Sequence, residues 1–274
     1  MKKSKLARLI AAICCFAMLL TACSSNQTPA ESGGDGSTTA DSEKKVLTYA
    51  IGAETTDLST LYMNNSLYCT SKLVYENLVD FDNGEIVPGL AESWEYNDDQ
   101  TELTFHLRQG VTFHNGEPFN AEAVKTNLEH KQSNPSFYSL KGITDIQEIE
   151  VVDEYTITLH YDHPFYAYLQ DFCWPDVNPM SAPEYIIPGD FQTISGVAGT
   201  GPYIYDEYVA GEYTRFVRNE DYWGEAPYWD EIIVKYIPDS TSRLQALQTG
   251  EIDMIYGGTL LTYEEYDQAL AMDG

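Results

Sequence analysis

The residues able to do metal or nucleophilic chemistry are few, and their spacing speaks against it. The five histidines are His106, His114, His130, His160 and His163. None of them forms a ligand pair on one helical face, the arrangement that helical zinc sites use. His160 and His163 flank the end of an alternating stretch and read as surface residues. A hydrolase would need a nucleophile beside a positioned base, and no grouping of Ser, Cys and His suggests one. The glycines of Gly199-Thr200-Gly201 stand in the wrong context for a dinucleotide fingerprint. Of the five cysteines, Cys14 and Cys15 lie in an apolar leader and Cys23 closes it. Cys69 and Cys173 remain, which is no disulfide scaffold. Two separately buried thiols are expected rather than a Cys69–Cys173 bridge. An enzyme is not expected, and neither a cofactor nor a metal centre is implied.

The leader is informative. Lys2, Lys3, Lys5 and Arg8 precede an apolar run from Leu9 to Leu20, followed by Thr21-Ala22-Cys23. That is a secretory signal, too short for a comfortable membrane span. Leu20-Thr21-Ala22-Cys23 resembles a bacterial lipobox, which implies cleavage before Cys23 and a lipid on its thiol. Residues 1–22 are then the signal. Residues 23–45, rich in Ser, Thr, Gly, Asp and Glu, cannot bury a core and are expected to be a tether. The location expected is extracytoplasmic, lipid-anchored to the cell membrane.

The formal net charge is −28, with only 15 Lys and Arg. Four of these basic residues lie in the leader, so the remainder is more acidic still. Nucleic acid, which needs clustered basic side chains, is excluded as a partner. The acidity is read as a matter of solubility and habitat rather than as a ligand signal. The chain holds 21 tyrosines, a count that suits cores and clefts equally.

The elements that would carry any site are clearest in Ile86–Glu129, IVPGLAESWEYNDDQTELTFHLRQGVTFHNGEPFNAEAVKTNLE. Pro88-Gly89 marks a turn, and Trp94-Glu95-Tyr96 is extended. Asn97 to Gln100 is a polar turn. Leu103, Phe105 and Leu107 alternate with Thr104, His106 and Arg108, the period of a half-buried strand. Asn115-Gly116 supplies another tight turn, and Asn120 can cap a helix with Val124 and Leu128 on one face. The stretch predicts a hairpin that feeds a helix. Elsewhere, 46–51 reads as a first strand and Ser66 to Leu78 as a helix. Ser133 to Gly142 reads as a loop with Phe137 and Tyr138 exposed. Tyr155, Ile157, Leu159 and Tyr161 belong to a second hairpin. Short helices are expected from Pro164 to Phe172 and from Ser181-Pro183. Strands are expected through Tyr205, around Arg215 and at 232–237. A helix from Thr241 to Gly250, a strand at 252–256 and a helix opened by Thr262 with Glu265 three residues on complete the pattern.

The block LAESWEYNDDQTELTFHLRQGVTFHNGEPFNAEAVK resembles a signature of the family 5 extracellular solute-binding proteins. GTGPYIYDEYVAGEYTRFVRNEDYWGEAPYWDEIIVKYIPDSTSRLQALQTGEIDMI is similar to a second signature of the same family. These are the peptide-, nickel- and glutathione-binding lipoproteins of ABC importers. The resemblance implies an α/β fold of the periplasmic-binding-protein type, with two lobes, mixed sheets and an inserted hairpin-rich domain. Lobe I would comprise 46–74 and 178–274, and the inserted domain 75–177. The second lobe would follow where this chain stops, so a truncated product carrying the N-terminal part of the fold is expected.

The function implied is capture of a peptide or a chelated nickel ion outside the membrane and delivery to a permease and its ATPase, by a monomer. A ligand-sensing surface lipoprotein receptor and an inactive truncated remnant are the alternatives. By position in the family, the ligand would meet Tyr62, Met63, Asn64 and Asn65 in the loop after the first strand. Phe137 or Tyr138 would lie over it. Trp174 and Asp176 would sit in the crossover near the hinge. Nickel-chelate binders of the family carry an arginine in that crossover, whereas this chain has Asp176. Trp94, Tyr222 and Trp223 are read as packing residues.

Overall fold

The computed structural model describes residues 44–54, 58, 70–164, 167–174, 178–191, 193, 195–257 and 260–272. In chain order the strands are β1 (Val46–Ile51), β2 (Val79–Asp82), β3 (Glu85–Pro88), β4 (Ala91–Tyr96), β5 (Glu102–Leu107), β6 (Ile146–Asp153), β7 (Thr156–Tyr161), β8 (Tyr203–Val209), β9 (Tyr213–Arg218), β10 (Glu231–Tyr236) and β11 (Met254–Ile255). The helices are α1 (Ser71–Val74), α2 (Ala121–Ser133), α3 (Lys141–Thr144), α4 (Ser240–Gln248) and α5 (Tyr263–Leu270).

Two larger sheets organise these elements. One has five strands in the order β11-β1-β10-β9-β8. The pairs β8–β9 and β9–β10 are antiparallel, whereas β1 lies parallel to both β10 and β11. The first strand is therefore threaded between two that come near the end of the chain, with Val46 opposite Glu231 and Ile51 opposite Tyr236. The other sheet is antiparallel, in the order β4-β5-β7-β6. Leu103, Phe105 and Leu107 of β5 point inward with Ile157, Leu159 and Tyr161 of β7, all buried with Val124 and Leu128 of α2 in one core. Each such buried side chain contributes on the order of 1.5–3 kcal/mol.

The hairpin and helix expected over 86–129 form for local reasons. Asn97 Oδ1 accepts the amides of Thr101 (2.9 Å) and Glu102 (3.1 Å), and Gln100 takes a φ of +55° to close the turn. Asn120 caps α2 by accepting the Ala123 amide at 3.0 Å. Thr262 and Glu265 form the capping box of α5.

Three expectations are corrected. The helix expected from Ser66 to Leu78 is, in its described part, only α1. Tyr75 leaves it extended (φ −117°, ψ 150°), because the next residues are committed elsewhere. The carbonyls of Asn77 and Leu78 accept the amides of Leu90 (2.9 Å) and Ala91 (2.8 Å). Among the described residues, the helices expected at Pro164–Phe172 and from Ser181-Pro183 are short 3₁₀ segments, Tyr168–Phe172 and Pro183–Tyr185. Phe137, expected exposed, is fully buried with Leu140 and Ile143. A 3₁₀ turn over Pro135–Phe137 points its ring inward, with Asn134 accepting the Ser136 amide.

The glycines of the Gly199-Thr200-Gly201 motif serve close packing. A Cβ on Gly199 would lie 2.0 Å from the Val74 carbonyl oxygen, and one on Gly201 2.7 Å from it. The Gly201 amide donates to that oxygen at 2.9 Å.

Candidate binding site

Of the side chains chosen from the sequence, Tyr62, Met63, Asn64, Asn65, Asp176 and the lipid-site Cys23 lie outside the described residues, as does Cys69. Tyr138 is 76% exposed at the end of the Pro135–Phe137 turn, and Trp174 is 57% exposed just after the Tyr168–Phe172 turn. Both are exposed, whereas Phe137 has no surface to offer. Cys173, beside Trp174, is a buried free thiol, and burial pushes it up to about 11. Burial thus disfavours its thiolate, the nucleophilic form.

Three of the histidines are engaged by protein neighbours. His160 stands between Glu150 (3.1 Å) and Glu102 (3.5 Å) on neighbouring strands. Burial lowers the basicity of His114, whose Nε2 lies 2.9 Å from the Gly201 carbonyl. His130 is buried against Phe191, at 5.1 Å between ring centroids, and is likewise lowered, by burial first and by the Lys131 charge second. Among the described residues no three His, Cys, Asp or Glu converge as metal ligands.

Two polar hubs fix the geometry around the ends of the sheets. Glu76 accepts from Thr200 Oγ1 (2.8 Å), Tyr222 OH (2.8 Å) and Trp223 Nε1 (2.7 Å). Burial holds its carboxyl above the usual range against these bonds. The Arg108 guanidinium lies over the Trp223 ring at 4.5 Å. Tyr222 and Trp223 thus tie the β9–β10 turn to the segment between α1 and β2.

The second hub lies on α2. Asn127 exchanges two bonds with the Ser181 backbone, donating at 2.8 Å and accepting at 2.9 Å. Lys131, 1% exposed, donates to Asn178 Oδ1 (3.0 Å) and the Pro179 carbonyl (2.7 Å). No carboxylate pairs with it among the described residues, and desolvation brings it down to about 7. The strap 178–181 is therefore gripped by the polar part of α2's buried face. The pattern of apolar residues gave no sign of this, because Asn127 and Lys131 read as solvent-facing types.

A cleft of about 900 Å³ opens between α4, β11 and α5, lined mainly by Leu247, Met254, Ile255, Leu260, Tyr263 and Tyr266. Its size falls in the range of small-molecule sites and its lining is apolar with a few polar groups. None of these residues stood out in the sequence as a ligand contact: all but Leu260 read as parts of an ordinary strand or helix.

The sequence profile of "Bacterial extracellular solute-binding proteins, family 5 Middle" matches residues 85–273. The "Nickel-binding periplasmic protein" of Escherichia coli (strain K12) is 36% identical over 205 residues, covering 72% of this chain and 38% of that protein. A NikA from Brucella suis, solved in complex with Fe(III)-EDTA, superposes with a TM-score of 0.78 at 33% identity, over 82% of this chain and 47% of that one. The periplasmic binding protein DppA from Helicobacter pylori, solved with the peptide STSA, gives a TM-score of 0.70 at 28% identity, over 83% of this chain and 49% of that one. The chain spans less than half the length of these relatives.

Proposed function

This chain belongs to the bacterial extracellular solute-binding proteins of family 5, and we propose on that premise that it captures a peptide or a chelated nickel ion for an ABC importer. The observation that carries the proposal is the family match across 85–273, joined to the likeness with NikA over 82% of the chain. The family is one of binding proteins, so the enzyme reading falls away. Hinge closure of two lobes around the solute is the mechanism the fold supports, and a permease reads the closed form.

On this reading 46–74 and 178–274 form lobe I, and 75–177 the inserted domain. Tyr62 to Asn65, Tyr138, Trp174 and Asp176 contact the solute. Cys23 carries the lipid after removal of 1–22, and 23–45 is the tether. The nickel-binding relative favours a chelate, and Asp176 in place of an arginine favours a cationic group such as a peptide amine. Native mass spectrometry of the full chain after mild extraction tests the proposal. A bound peptide mass identifies the first ligand class, and nickel with a small chelator the second. A chain that retains neither, and takes up neither when both are supplied, would overturn it.

A further inference from the structure

Trp174 is exposed, yet its main chain is fixed on both sides. Before it, Phe172 is fully buried and meets Phe105 edge-on, at 5.2 Å between ring centroids. After it, the Asn178 amide donates to the Trp174 carbonyl at 3.0 Å. The indole itself is 57% exposed, so packing covers less than half of it. Its place is therefore set largely through the main chain, and on the C-terminal side the bond from Asn178 closes the turn that holds it.

Asn178 owes its own position to Lys131. It is fully buried, and Lys131 Nζ donates both to its Oδ1 (3.0 Å) and to the carbonyl of the next residue, Pro179 (2.7 Å). A protonated lysine only donates, so the oxygen of the Asn178 amide is the atom that must face it. Asn178 Nδ2 has no partner among the described residues, so the bond to Lys131 alone orients this side chain by hydrogen bonding. A buried amide oxygen without a donor carries a desolvation penalty, which disfavours any other placement of the residue. Further along, the Met180 amide donates to the Glu76 carbonyl at 2.9 Å, and Asn127 holds Ser181. Those bonds fix the later part of the strap. The Lys131–Asn178 bond acts on the residue whose amide returns to Trp174.

We propose that Lys131 is a positioning residue for Trp174: by holding Asn178 it fixes the turn between 174 and 178, and so presents the indole to a solute in one place. Lys131 is buried and acts through the turn, without touching the solute. A contact that is already in place spares binding the cost of ordering it. The proposal rests on the solute-capture reading only in taking Trp174 for a solute contact.

Lys131→Met, Asn178→Ala and the double variant in the full chain test it, by hydrogen exchange and by acrylamide quenching of Trp174. The chain has four tryptophans, so a Trp174→Phe version of each protein supplies the blank that isolates the Trp174 emission. Val124→Ala, which trims the apolar face of the same helix and removes no hydrogen bond, is the control for a merely structural effect. In Lys131→Met the amide at 178 should exchange at least about tenfold faster, while those of β10 stay within about twofold. Quenching of Trp174 should rise by at least about 1.3-fold. Asn178→Ala, which takes away the oxygen that Lys131 holds, should give the same two changes, and it keeps the test open if Lys131→Met does not fold. The double variant should go no further than either single one, because both break one bond. Exchange at 178 within about twofold of the unaltered chain in Asn178→Ala would overturn the positioning role. So would equal acceleration in Val124→Ala, or additive effects in the double variant. All of this is read without solute, so its failure leaves peptide or chelate capture standing, and the mass measurement reads that capture separately.

Discussion

Replacing Lys131 by Met should flatten the pH dependence of stability. Lys131 has no counter-charge among the described residues, and its desolvation lowers it from 10.5 to about 7. The folded chain releases this proton above about pH 7, while the unfolded chain keeps it until about 10.5. In that window the unfolded state binds more protons, so stability rises with pH. At full effect the slope is about 1.4 kcal/mol per pH unit, and it is about half that where the folded group is half protonated. Integrated from about pH 7 to about pH 9, Lys131 adds about 2 kcal/mol. Methionine has similar reach, but it leaves Asn178 Oδ1 and the Pro179 carbonyl without their donor. That loss costs about 1–3 kcal/mol per group and does not vary with pH. Urea unfolding of both proteins across this range is the assay. The titration of the Cys173 thiol is common to both and cancels in the difference. The stability gap should widen in favour of the unaltered chain by about 2 kcal/mol over the two pH units. A gap constant within about 0.5 kcal/mol would refute the account of Lys131 as a buried, uncompensated amine.

Other substitutions probe the remaining parts. Glu76→Gln places an amide donor among Thr200, Tyr222 and Trp223, all of which donate, and should lower stability by about 1–3 kcal/mol in urea unfolding. It should also remove a pH term. Because the Glu76 carboxyl is raised, its ionisation costs stability as pH climbs above the ordinary carboxylate range, and the variant should lack that decline. Gly199→Ala would press a methyl group onto the Val74 carbonyl, and should cost about 3 kcal/mol or prevent folding, read from soluble yield and melting temperature. Phe137→Ala should cost about 3–5 kcal/mol as a core deletion, whereas Tyr138→Ala should change stability by less than about 0.5 kcal/mol and weaken solute binding instead. Equal effects of the last two on stability would contradict their opposite burial.

The sequence alone determined what is set within a few residues. Asn97 and Asn120 announce a turn and a cap because their side chains bond amides three to five positions ahead. The alternation of Leu103, Phe105 and Leu107 marks a strand because neighbouring side chains point to opposite faces. The resemblance of its two signature blocks also pointed to the family, since those blocks carry the hairpin, the aromatic turn and the close-packing glycines. Tertiary structure decided the rest. β1 lies between β10 and β11 through pairings that join opposite ends of the chain, and no local pattern encodes a partner so distant. Phe137 turns inward because a 3₁₀ turn and the contacts of Leu140 and Ile143 determine which way a loop aromatic faces. Lys131 and Arg243 look like surface cations in a sequence. They are buried because carbonyls at 179, 237 and 260, brought to them only by the fold, replace the water they lose.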